Sequence, residues 1–227
     1  MSNRLEETVA RLLASGGSED ILVAEFAQDL PLELVEASMD EIASAAMTIK
    51  KTVTEPVLVI RRDDPVNIDP RRDWDNLGTM FCWHRRYVLG DHQPSGDSGL
   101  WIREYGPFFV QMPLYLYDHG GITMSTRPFA CGWDSGQVGW IVVKAEDARR
   151  EFGVKALNQH HRRKVIEILR HEVRAYDWYL TGQCWGYEYG DDSCWGFLGE
   201  KLEDTGLLEA IDAPREVIEA AWEERYG

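Results

Sequence analysis

At 227 residues, 44% hydrophobic and 28% charged, the chain has the makeup of a globular protein that can bury one substantial core, which excludes disorder as the default. No stretch approaches the roughly 18 apolar residues of a membrane helix, and the opening MSNRLEETVARLLASGG lacks a basic-then-apolar leader pattern, so a cytoplasmic protein without membrane contact is expected. The net charge of −15 sits at the ends: residues 1–56 hold eleven acids against four bases and residues 200–227 nine against three, while 57–199 hold nineteen against seventeen.

Residues 1–50 read as a small acidic helical appendage. RLEETVARLL places Leu5, Val9, Leu12 and Leu13 on one face, SGGSED breaks the chain, and Ser18 caps a second helix carrying Ile21, Leu22 and Phe26. A third helix starts near Asp29 and Pro31 and buries Leu34, Val35 and Ile42. The core domain is expected over 57–227. Val57 to Ile60 form a short β-branched run, and LGTMFCWHRRYVLG is a second strand candidate. FFVQMPLYLYDHGGITMST predicts a hairpin turning at Asp118 to Gly121, QVGWIVV a strand, and KAEDARREFG a short helix capped by Gly153.

Leu157, His161, Val165, Ile168, Leu169, Val173, Tyr176 and Leu180 recur at helical steps, which predicts one long helix lying across the sheet and ended by Gly182. CWGYEYGDDSCWGF predicts a closing hairpin; a two-residue turn opposes Cys184 to Phe197 and Cys194 to Tyr187, with the two sulfurs on opposite faces. A last helix follows Pro214. This order gives an α+β fold, an antiparallel or mixed sheet covered by one long helix. The four cysteines include no C-x-x-C pair and read as free thiols.

Chemistry is expected where polar residues crowd the predicted turns. Gly132-Trp133-Asp134-Ser135-Gly136 fails as a nucleophile elbow, because Asp134 holds the central position and a strand follows. The better reading is an Asx or Ser turn that leads into a core strand. His84, Asp118 and His119, with Asp134 and Ser135 assisting, are the candidate catalytic residues of a hydrolase or nucleotide-processing enzyme. Asp75, Asp91 and His92 belong to the same crowd. Their spacing matches no metal-ligand pattern, so no metal and no cofactor are expected.

The tryptophans are expected mainly in the core, with a stacking pocket served by Arg85 or Arg86 as the alternative. On the long helix Arg162, Arg163, Arg170 and Arg174 form a basic face, read either as pairing with the acidic ends or as an anion site. An acidic surface repels phosphate backbones, which weighs against direct nucleic-acid binding and leaves solubility or a basic protein partner, met through Glu33, Glu36, Asp40 and Glu41.

Three stretches, RDWDNLGTMFCWHRRYVLGD, LPLYLYDHGGITMST with WDSGQVGWI, and EVRAYDWYLTGQCWGYEY with SCWGFLG, resemble a family of uncharacterised proteins of tailed phages and other mobile elements. The resemblance covers roughly 57–199 and carries no catalytic residues with it. It implies an accessory protein in the host cytoplasm, so the leading expectation is a non-enzymatic binder or inhibitor of a host defence or nucleic-acid-processing protein.

Overall fold

Two burial periods build the structure, a computed structural model that describes residues 56–64 and 68–226. The helices expected over residues 1–50, with Glu33, Glu36, Asp40 and Glu41, lie outside those residues. The chain divides into two units, Met1–Val57 and Leu58–Gly227, and the second contains nearly all that is described.

Its elements in chain order are β1 (Leu58–Arg62), β2 (Thr79–Cys82), α1 (Ser98–Tyr105), β3 (Val110–Asp118), β4 (Ile122–Ser125), β5 (Ser135–Val143), α2 (Ala145–Phe152) and α3 (Gln159–Leu180). They continue with β6 (Cys184–Tyr189), β7 (Asp192–Leu198), α4 (Leu202–Thr205), α5 (Leu207–Ala210) and α6 (Arg215–Tyr226). The α+β class holds, with each pairing between these strands antiparallel. The strands divide between two sheets, four strands in the order β2-β5-β3-β4 and three in the order β1-β6-β7.

The long helix forms where the sequence places it. Asn158 accepts from the amides of His160 and His161 while His161 Nδ1 accepts from the Asn158 amide, a reciprocal cap at the start. Gly182 follows its end in the left-handed region. Val165, Leu169, Val173 and Tyr176 are buried in one core with Met80, Leu114, Leu116, Met124 and Ile141 of the four-stranded sheet. A second core joins Ile60, Trp185 and Tyr187 of the smaller sheet to Leu202, Leu207, Ile211 and Ile218 of the C-terminal segment. At Gly139 the strands β2 and β5 come so close that a Cβ would overlap the Phe81 carbonyl, so only glycine fits.

The closing hairpin pairs Tyr187 with Cys194 as expected, but Cys184 faces Leu198 and not Phe197. A bulge between Trp185 and Gly186 accounts for the one-residue slip, with Gly196 supplying the positive φ. Cys184 is buried and Cys194 exposed, and all four cysteines are free thiols. The second strand candidate is shorter than its apolar run: it ends at Cys82, and 83–90 is loop.

One buried charge ties the first loop to the long helix. Arg71, with 1% of its side chain exposed, donates to both carboxylate oxygens of Asp91 at 3.0 and 2.6 Å, to Glu172 Oε2 at 2.9 Å, to Asn76 Oδ1 at 2.9 Å and to the Gly78 carbonyl at 2.6 Å. Glu172 Oε1 accepts from the Leu77 amide and Asp91 Oδ2 from the Met80 amide, so these acids also fix the backbone where β2 begins. Burial pushes the Glu172 carboxyl up, opposed by Arg71 and the two amides of Leu77 and Gly78. The Arg71 guanidinium is raised: burial would lower it, and the hydrogen bonds and charges of Asp91 and Glu172 outweigh that.

Candidate functional site

The crowded turns meet at one end of the four-stranded sheet. The backbone brings them together: the Asp118 amide donates to the Asp134 carbonyl at 2.8 Å, and the Trp83 amide to the Val138 carbonyl at 2.7 Å. Val138 lies at an irregularity where β5 slips against Leu114 and Tyr115 of β3, which turns the start of β5 toward the loop after β2. Between them is a cleft of ≈ 550 Å³, lined by Trp83 to Arg86, Leu116, Asp118 and Trp133 to Val138.

 Four of the five candidate catalytic residues, His84, Asp118, Asp134 and Ser135, line this cleft. The fifth, His119, stands at its rim with Nδ1 at 3.2 Å from Asp134 Oδ2.

Each of these groups has a local partner. His84 Nδ1 accepts from the amides of Arg86 and Tyr87 at 3.3 and 3.2 Å, which puts its proton on Nε2, and its ring stacks on Tyr87. Asp118 pairs with Arg86 and accepts from the Tyr87 hydroxyl at 3.2 Å. Ser135 donates its hydroxyl proton to the Cys131 carbonyl, so WDSG is a turn leading into β5, as its residue types predict. A nucleophilic serine needs its proton on a base, and this one gives it to a carbonyl. The pair with a catalytic geometry is His119 and Asp134, where the carboxylate at Nδ1 leaves Nε2 facing outward.

The cysteines offer no activated thiolate in the core: burial pushes Cys82 up to about 12 and Cys184 up to about 11. Among the described residues no group of three or more His, Cys, Asp or Glu side chains is placed to hold a metal ion. Asp75, Asp91 and His92 do not join the cleft. Asp91 belongs to the Arg71 network, His92 stacks on Phe81, and Asp75 lines a separate groove beside α3.

The tryptophans correct the expectation of a tryptophan core. Trp185 alone among the described ones is fully buried, whereas Trp133 is 97% exposed at the cleft mouth and Trp74 and Trp195 are also exposed. The turn that carries Trp133 precedes the first residue of β5 and leaves the indole in solvent, away from the core. Beside it Arg85 is exposed and has no ion pair among the described residues, and Trp83 buries its indole N–H without a hydrogen-bond partner among them. On α3, Arg162 donates to the Phe109 carbonyl, while Arg163, Arg170 and Arg174 are exposed and form no ion pair among the described residues. The pairing expected between this face and the acidic ends is therefore absent from the described part of the chain.

Arg71, Glu172 and Tyr87 escape a reading of the sequence. Their partners lie 20, 101 and 31 positions away, too far for any local period to register. Among the described residues no helix is long and apolar enough to cross a membrane. No protein-family model, curated protein or solved structure matches this chain.

Proposed function

We propose that the chain is a phage or mobile-element accessory protein of the host cytoplasm that works by binding a host or phage protein. The observation that carries the reading is Trp133, 97% exposed at the mouth of a cleft whose ionisable groups are largely spent on one another. An exposed indole flanked by arginines has the composition of an interface anchor, since Trp, Tyr and Arg dominate binding energy where they become buried. The acidic ends supply the second half of the reading: they favour a partner with a basic surface and a salt-dependent association.

The test uses the full chain as bait in host lysate at low salt, beside Trp133→Ala and a charge reversal of Glu33, Glu36, Asp40 and Glu41. A partner held by the parent chain and lost from both variants supports the reading. A partner indifferent to both changes overturns it.

A second reading, a hydrolase or nucleotide-processing enzyme, is favoured by the His119–Asp134 pair alone. Hydrolysis of nucleotides or phosphodiesters by the purified chain, abolished by His119→Ala and reduced by Asp134→Asn, would establish it in place of the first.

A further inference from the structure

A larger groove of ≈ 880 Å³ runs between α3, the loop at Trp74 and the strand β7, and it shares no residue with the Trp133 cleft. Its walls include Trp74, Trp178 and Phe197. Four carboxylates, that of Asp75 in the loop before β2 and those of Glu151, Glu167 and Asp204 on three helices, line it against the single lysine Lys164. None of the four has an ion pair among the described residues, whereas the fifth acid of the lining, Glu172, is neutralised by Arg71.

We propose that this groove is a docking site for one basic side chain, arginine before lysine, presented by a peptide segment of a partner protein. Aromatic faces and unpaired carboxylates together are what a guanidinium seeks: it stacks on an indole and hydrogen-bonds an acid in the same pose. The aliphatic stem of such a side chain also finds apolar wall at Leu77, Ile168 and Ala175. The exposed Arg163, Arg170 and Arg174 on the same helix limit the charge of the occupant. A polybasic strand would meet like charge there, so the segment carries one anchoring cation with neutral or acidic neighbours. This goes beyond the binding reading above and does not depend on the Trp133 cleft.

The experiment titrates the full, ¹⁵N-labelled chain with a short peptide holding a single arginine between glycine and aspartate residues, and follows the tryptophan indole signals. The Trp74 and Trp178 signals are expected to shift while that of Trp133 stays in place. The same peptide with citrulline for arginine should lose affinity by about tenfold or more, because it keeps the shape and removes the charge. Trp74→Ala, a change at a 43% exposed residue, and Asp75→Asn with Asp204→Asn should each weaken binding about fivefold or more. No shift at Trp74 and Trp178, equal binding of the citrulline peptide, or tighter binding of an oligo-arginine peptide or spermidine would each overturn the proposal. A shift confined to Trp133 would do the same, and it would leave the reading of the Trp133 cleft standing.

Discussion

Removing the guanidinium of Arg71 is the most informative perturbation of this fold. Arg71→Met keeps much of the aliphatic stem and deletes five hydrogen bonds at once. It strands two carboxylates whose side chains are only 16% and 11% exposed, those of Asp91 and Glu172. Breaking a buried ion pair by removing one partner costs about 3 to 5 kcal/mol, because the remaining charge stays desolvated. The amides of Leu77, Gly78 and Met80 still serve the acids, which keeps the cost within that range and not above it. At about 2 to 4 °C per kcal/mol for a domain of this size, the melting temperature should fall by about 6 to 20 °C.

The loss should also depend on pH. Without Arg71 the buried Glu172 holds a proton more tightly in the folded chain than in the unfolded one, so the variant loses stability as pH rises through its folded pKa. The gap between parent and variant is then wider at about pH 8 than at about pH 5, and adding Glu172→Gln and Asp91→Asn should recover part of it. Thermal and urea unfolding across that range measure both effects. A loss under about 1 kcal/mol, or one that neither pH nor the added amides alter, would refute the claim that Arg71 neutralises a buried acid pair.

Two further outcomes follow from the packing of α3. Leu169→Ala, at a side chain with no exposure that meets the close approach of Gly78, should cost about 2 to 5 kcal/mol in urea unfolding, and Val173→Ala less because it removes fewer atoms. Asp177 accepts from the Thr123 hydroxyl and the Met124 amide, and burial pushes its carboxyl up despite those bonds. Its contribution to stability is therefore full below the unfolded pKa of about 3.9 and is lost as pH rises through the folded one. Asp177→Asn keeps an acceptor for both donors and should flatten that decline when unfolding is measured between about pH 4 and pH 7.

What the sequence made legible was whatever has a short period. The helix α3 shows its buried stripe every three or four residues, and the hairpin of β3 and β4 shows two apolar runs about a glycine turn, so both were readable from neighbours in the chain. Division into two sheets was not, because β1 joins β6 across more than a hundred residues and nothing local marks that choice. The register of Cys184 was missed for a smaller reason: one extra residue at a bulge displaces every pairing beyond it. Tryptophan gives the sharpest contrast. Trp133 and Trp185 both follow or precede a glycine, yet one is exposed and the other lies in the second core, and only the tertiary surroundings decide which.

The polar residues of the stretches around Arg71 and around the cleft divide by burial into two kinds. Asn76, Gly78 and Asp91 are engaged by Arg71, so their presence is answered by the needs of a buried charge and says nothing of a ligand. At the cleft His84 accepts from the Arg86 amide, Arg86 pairs with Asp118 and His119 with Asp134, and these contacts are open to solvent. An open network is weak as a source of stability, since exposed pairs contribute little. Polar residues gathered there from three segments are then better explained by the cleft they line, at whose mouth Trp133 stands exposed. Trp133→Ala should accordingly leave the unfolding midpoint unchanged while it removes binding, which separates a contact surface from a structural one in a single variant.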